Sequence, residues 1–123
     1  RGLKKNVIFD FLNDNQLSQI DSRGVFQFYD LSNLWADVQR ASEAGLRTLN
    51  LATEPVSVAD VCLHGFNREF RNEPADKTPA RYDFRSIHAP LFGGRNGYLY
   101  DRESVLRALR TFVEASTAAR RAS

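Results

Sequence analysis

The five residues Gly93-Gly94-Arg95-Asn96-Gly97 come nearest to a phosphate-binding turn in this sequence. A dinucleotide fold needs Gly-x-Gly-x-x-Gly between a strand and a helix, so that backbone N–H groups can approach the pyrophosphate. This run has no phosphate-binding lysine and no helix directly behind it, and its Gly and Asn content predicts a tight turn instead. Metal chemistry is poorly supplied. His64 and His88 are far apart, and Cys62 is the single cysteine, which makes a weak zinc set. Cys62 and His64 sit two residues apart, a spacing that points them to different faces of a helix. Cys62 is therefore expected as a small core residue and His64 at the surface. Asp30, Asp37, Glu54, Asp83 and Asp101 are available as paired acids, but spacing alone brings no two of them to the ~5–9 Å that glycoside chemistry requires. Helix caps account for Asp30 and Asp101 without chemistry. Tyr98 and Arg102 form Tyr-x-x-x-Arg, and arginine does not replace lysine in lowering a tyrosine pKa beside a cofactor. None of these sets is a self-sufficient active site.

The elements that must position these residues follow from periodicity. Leu3, Val7, Ile8, Phe11 and Leu12 share one face of a helix predicted over 3–12. Asn13-Asp14-Asn15 ends it, and 16–20 reads as a short strand. Residues 25–29 are rich enough in aromatics for a strand. Asp30 or Ser32 caps a helix running to about Ala44, with Leu34, Trp35, Val38 and Ala41 as its buried stripe and Gly45 as its stop. Residues 46–51 alternate as a strand, and Ser57 to Asp60 resembles a capping box opening a helix through Val61, Cys62 and Phe66. From 67 to 97 the pattern dissolves around Pro74, Pro79 and Pro90, with only 81–85 extended. Asp101 caps a last helix carrying Val105, Leu106, Leu109, Phe112 and Val113 on one face, and 115–123 reads as a frayed basic tail. The expectation is a mixed α/β fold, with about four helices and a small mixed sheet.

Composition sets the outer bounds. The chain has 123 residues, 42% of them hydrophobic and 26% charged, with a formal net charge of +2. One core is all that this length supports, and 1–114 are read as a single lobe. The basic residues are scattered among acids, which argues against a nucleic-acid partner. No apolar run approaches the ~20 residues that cross a bilayer, so no membrane partner is expected. The lone cysteine favours a reducing compartment, hence the cytoplasm. There is no methionine at any position, including the first. The chain is therefore expected to be a domain cut from a longer parent.

Three collinear stretches carry a family resemblance. The run from Leu49 to Val58, Leu-Asn-Leu-Ala-Thr-Glu-Pro-Val-Ser-Val, is similar to the strand, turn and helix start that follow the substrate pocket in extended short-chain dehydrogenases. The run from Gly2 to Ile8 resembles the helix that enters their nucleotide-sugar site. Val25-Phe26-Gln27-Phe28-Tyr29-Asp30, continuing through Asp37-Val38, resembles the aromatic strand and following helix that flank it. The resemblance spans roughly residues 2–66 and points to the NAD(P)-dependent sugar-nucleotide epimerases and dehydratases. It implies that this chain is the C-terminal substrate-binding lobe of such a Rossmann-type enzyme. That lobe would hold no cofactor itself. NAD or NADP would sit on an N-terminal Rossmann lobe, a sugar nucleotide or other small molecule would be the substrate, and the lobe alone would be inactive. One departure matters: many relatives carry Arg-Asp-Phe on the aromatic strand, where the arginine pairs with the substrate diphosphate. Phe26-Gln27-Phe28 stands in that place, and phenylalanine cannot replace a bidentate guanidinium.

The candidate substrate-binding residues are Asn6, Lys4, Gln27, Asn50, Arg81 and Arg85. Asn6 offers its amide to a substrate, as the family's asparagine does, or is a surface residue of a first helical turn. Lys4, with Lys5, either faces a phosphate near a helix N-terminus or is simply solvated. Asn50, inside an apolar strand, needs a partner from a loop backbone or a ligand. Gln27 projects away from both flanking phenylalanines, into solvent or into a cleft. Arg81 and Arg85 could close over an anionic substrate or lie on the surface, while Trp35 is expected in the core. Cutting such a lobe free would uncover its aromatic strand or its 46–51 strand, so self-association is expected as well. A free-standing, non-enzymatic binding module is the competing reading.

Overall fold

The computed structural model describes residues 11–13, 17–76 and 78–122, with backbone alone for 120–122. It is a mixed α/β arrangement. β1 (Val25–Phe26) pairs antiparallel with β2 (Val56–Ser57), in the register Val25 opposite Ser57 and Phe26 opposite Val56. Among the described residues they are accompanied by the helices α1 (Leu34–Glu43), α2 (Val58–Phe66) and α3 (Arg102–Ala122). Residues 11–13 are helical too, while the rest of the helix expected over 3–12 lies outside the described residues. No helix among the described residues is long and apolar enough to cross a membrane.

The core lies where α2 packs on α3. Val56, Val61, Val105, Leu106 and Leu109 form one buried cluster. Phe11, Val58 and Cys62 form a second, and Phe66 packs against both. Local chemistry explains the helix starts. Ser57 accepts the Asp60 N–H at 3.1 Å, and Asp101 accepts the Ser104 N–H at 2.9 Å, each satisfying a donor that the first helical turn leaves free. Glu54 accepts the Arg102 N–H at 2.8 Å, and an Arg102–Asp60 ion pair at 3.1 Å ties the starts of α2 and α3 together.

Several expected elements take other forms. In place of the strand expected over 16–20, Leu17–Gln19 form a 3-10 turn, and Gln16 lies outside the described residues. The Asn72 amide donates to the carbonyls of Ser18 and Ile20 at 2.8 and 2.7 Å, and a strand would not converge those two oxygens on one side chain. The strand over 25–29 shortens to two residues, with Val25 also bridging Arg81 in parallel, so the sheet proper is antiparallel and two-stranded. Residues 46–51 form no strand. Gly45, at φ 76°, terminates α1, and the Leu46 N–H bonds back to Ala41 at 3.0 Å while that of Gly45 reaches Ser42 at 3.0 Å. This is the helix-ending Schellman motif, and it takes up the first residue of the expected strand. The tail expected over 115–123 is helical through Ala122.

The largest reversal is α1 itself. Its expected stripe faces outward: Trp35 is 72% exposed, and Leu34 and Val38 are exposed with it. Its buried residue is Asp37.

Candidate functional site

Gln27 is the centre of the region where the expected site residues meet. Its amide nitrogen donates to the carbonyls of Thr53 and Phe84, both at 2.7 Å, and its amide oxygen accepts the Phe84 N–H at 2.7 Å. The side chain thus does what a strand residue's backbone does, bonding one segment on each side. Residues 25–29 stand between 52–54 and 81–85. Around them the Val25 N–H reaches Ala80, the Tyr82 N–H reaches Val25 and the Leu99 N–H reaches Ala52. Gln27 is half-buried, and its polar atoms are engaged by the protein's own backbone.

The structure gathers Asn50 and Arg85 at the same edge. The Asn50 amide donates to the Arg85 carbonyl at 3.4 Å. Asn50 is exposed and lies on irregular chain, so the buried-strand setting expected for it is not found. Arg85 pairs with Asp83 at 3.1 Å, donates to the Asn96 carbonyl at 3.3 Å, and lies 5.0 Å above the Tyr98 ring. The buried Tyr98 hydroxyl donates to Asp83 at 2.5 Å. The Arg85 guanidinium, followed by the Tyr98 hydroxyl, holds the Asp83 carboxyl below the ordinary carboxylate range. Burial, followed by Asp83, moves the Tyr98 phenol upward. Arg81 is exposed at the far end of the same segment. Lys4 and Asn6 lie outside the described residues.

Behind this edge the chain makes a tight hairpin. Asn96 and Gly97 have φ of 57° and 86°, and the Tyr98 N–H closes on Arg95 at 2.9 Å, the two-residue turn that Asn-Gly favours. Gly94 allows close approach, because a Cβ there would lie 1.9 Å from the Tyr98 carbonyl oxygen. The N–H groups of Gly93 and Gly94 bond the Pro90 and Ala89 carbonyls at 3.1 and 2.9 Å. They are aimed at the protein's own chain, so these glycines do not fit a cofactor pyrophosphate.

A second network joins residues that periodicity could not connect. Asp37, 5% exposed, accepts hydrogen bonds from Tyr29 at 2.5 Å and from Tyr100 at 2.9 and 3.0 Å. Burial, reinforced by Asp37, pushes the Tyr100 phenol up to about 12 and moves Tyr29 strongly in the same direction. Both phenols are hydrogen-bond donors at neutral pH and poor proton acceptors. Their arrangement anchors α1 to the 99–100 segment.

The remaining reactive groups are committed or muted. Burial raises the Cys62 thiol to about 12, so it is no nucleophile at neutral pH. A groove of about 370 Å³ beside α3 is lined by His64, Arg102, Leu106, Arg107 and Arg110. Its three arginines pair with Asp60, Glu103 and Glu114, which leaves the groove nearly balanced in charge. Asp30 is a cap, accepting the Ser32 N–H at 3.0 Å. The polar groups of this mixed α/β unit mostly bind its own backbone or one another, a pattern of positioning rather than proton transfer. No protein family, curated protein or solved structure matches this chain.

Proposed function

We propose that this chain is the substrate-binding lobe of an NAD(P)-dependent sugar-nucleotide epimerase or dehydratase, or of a related reductase, and is inactive without a Rossmann-type cofactor lobe. The observation that supports this is the Gln27 clamp. It sets the aromatic strand beside the 52–54 segment, and these are two of the stretches on which the family resemblance rests. The nicotinamide, carried by the other lobe, supplies the hydride chemistry. This lobe supplies position: holding a substrate in register with its reaction partner lowers a barrier by several kcal/mol without a proton-transferring group. Arg85 and Asn50 at one edge, with Arg81 at the far end of the same segment, offer the donors for an anionic or hydroxylated substrate. Asn6 and Lys4 join them on the family resemblance alone.

The test is calorimetric titration of residues 1–123 with a panel of UDP-, GDP- and dTDP-sugars and separately with NAD(H). A sugar nucleotide is expected to bind, with Arg85→Ala weakening it, and NAD(H) is expected not to bind. Micromolar NAD(H) binding by the 123-residue chain, or binding of no sugar nucleotide, would refute the reading. A free-standing binding module is favoured by a different observation, the exposed Tyr82, Phe84 and Ile87 along 82–87, and a chain that binds neither kind of nucleotide would decide for it.

A further inference from the structure

We infer that a second copy of this chain pairs on the open edge of the 80–85 segment, in an antiparallel two-fold contact centred on Tyr82, an inference independent of the function proposed above. The inner side of that segment is occupied. The Val25 N–H reaches the Ala80 carbonyl at 2.8 Å, and the Tyr82 N–H reaches the Val25 carbonyl at 3.0 Å. Gln27 holds both backbone groups of Phe84. An extended chain then turns the N–H and C=O groups of Arg81 and Asp83 the other way. Among the described residues those groups have no partner, and both residues are exposed. The strands expected at a self-association surface offer no such edge. β1 has β2 on one side and Arg81 on the other, and 46–51 form no strand.

Charge selects the occupant and the register. An unpaired edge is a template for another strand, and antiparallel pairing must set outward groups opposite outward groups. A two-fold axis at Arg81 would place that arginine against itself. One at Asp83 would place Asp83 against itself and Arg81 against Arg85, like charges throughout. One at Phe84 would need the Arg85 carbonyl, which the Asn50 amide already holds at 3.4 Å. The axis at Tyr82 sets Arg81 opposite Asp83 of the copy, twice. It also sets Arg85 opposite Pro79 of the copy, which has no N–H and so leaves the Arg85 carbonyl to Asn50. The Arg81 side chain has no ion-pair partner among the described residues. Asp83 keeps Arg85 at 3.1 Å, and a carboxylate has lone pairs for a second cation. On the other face, Tyr82 would meet its own copy at the closely spaced, non-hydrogen-bonded position. Phe84, 62% exposed, would lie against the small Ala80. The Tyr82 ring is 5.5 Å from Phe26 and 6.0 Å from Phe84, so the contact would join two aromatic rows into one.

Sedimentation velocity of residues 1–123, from micromolar to millimolar concentration, measures the association, and amide hydrogen exchange by NMR locates it. A concentration-dependent dimer is expected. Protection should rise at the Arg81, Asp83 and Arg85 N–H groups and stay unchanged at Tyr82 and Phe84, whose N–H groups are already bonded within the chain. Arg81→Asp should weaken the dimer by about tenfold or more, because two opposite-charge pairs become like-charge pairs. Asp83→Arg should do the same, and mixing the two variants should restore association as a heterodimer. Asp83→Arg also strips the Tyr98 hydroxyl of its acceptor; the exchange pattern of the unaltered chain decides the matter even if that variant does not fold. A chain that stays monomeric throughout, or a dimer with no protection at Arg81 and Asp83, overturns the inference. So does an Arg81→Asp variant that associates more tightly, the mark of the Asp83-centred register. A monomer in which an added extended peptide of alternating valine and glutamate protects the same amides overturns the second copy in favour of a peptide partner.

Discussion

Replacing Asp37 with Ala tests whether α1 is held by a carboxylate rather than by apolar packing. The substitution removes the acceptor shared by Tyr29 and Tyr100. Hydrogen bonds to a charged partner contribute about 1.5–3 kcal/mol each. Both phenols are only partly buried, so water can replace some of what they lose and the lower end of that range applies. Two such bonds give a loss of about 3 kcal/mol. Alanine's better helix propensity returns about 0.5 kcal/mol, and the loss of a negative charge in the first turn removes a similar amount. These last two effects cancel. Urea denaturation followed by circular dichroism measures the change, and Tyr29→Phe combined with Asp37→Ala gives the coupling between the pair. A loss below 1 kcal/mol, or no coupling, would refute the anchoring role and return α1 to a propensity-driven helix.

The same network sets an alkaline limit. In the folded chain Tyr100 is raised from 10.0 to about 12, and Tyr29 is raised as well. A phenol whose folded pKa exceeds its unfolded one binds more protons when folded, so stability falls as pH rises between the two values. Full stability is expected below pH 10, with a decline of about 2 kcal/mol from Tyr100 alone between pH 10 and 12. Tyr100→Phe should flatten that decline.

Three further outcomes follow from single contacts. Gln27→Leu leaves the Thr53 carbonyl and both Phe84 backbone groups without their partner, and should cost about 2–3 kcal/mol while raising hydrogen exchange at Phe84 by NMR. Gly94→Ala forces a Cβ against the Tyr98 carbonyl, against backbone rather than a flexible tip, and should destabilise by more than about 2 kcal/mol, read by thermal melting. Thr53→Val should be neutral or stabilising by up to about 1 kcal/mol, because the Thr53 hydroxyl is buried with no hydrogen-bond partner; a loss above that size in the same melting assay would point to a bound water.

What the sequence revealed divides by range. Caps were legible because a cap is written within three residues: Asp30, Ser57 and Asp101 each bond a donor two or three positions on. The Asn96-Gly97 turn was legible for the same reason. The alternation over 46–51 misled because a strand exists only when a ladder partner is present, and the helix end had already taken the Leu46 N–H. The edge formed by Gln27, Asn50 and Arg85 joins residues up to 57 positions apart, and no periodicity carries that information. Asp37 and Tyr100 are 63 positions apart. Asp37 beside the apolar stripe of α1 was the available signal, but like Glu43 on the same helix it reads equally as a solvated charge.

The α1 helix shows why the two kinds of error differ. Its end at Gly45 and the spacing of its stripe were legible, but the stripe's direction was reversed, and Asp30 caps the 3-10 turn Leu31–Asn33 that precedes α1 rather than α1 itself. Periodicity establishes that a face needs a partner, but the partner's identity lies outside the helix. When the interior offers two phenols to a carboxylate, the polar side turns inward and the demand for apolar cover is passed to another surface. An amphipathic helix with its acid buried is thus informative about assembly in a way that an ordinary one is not.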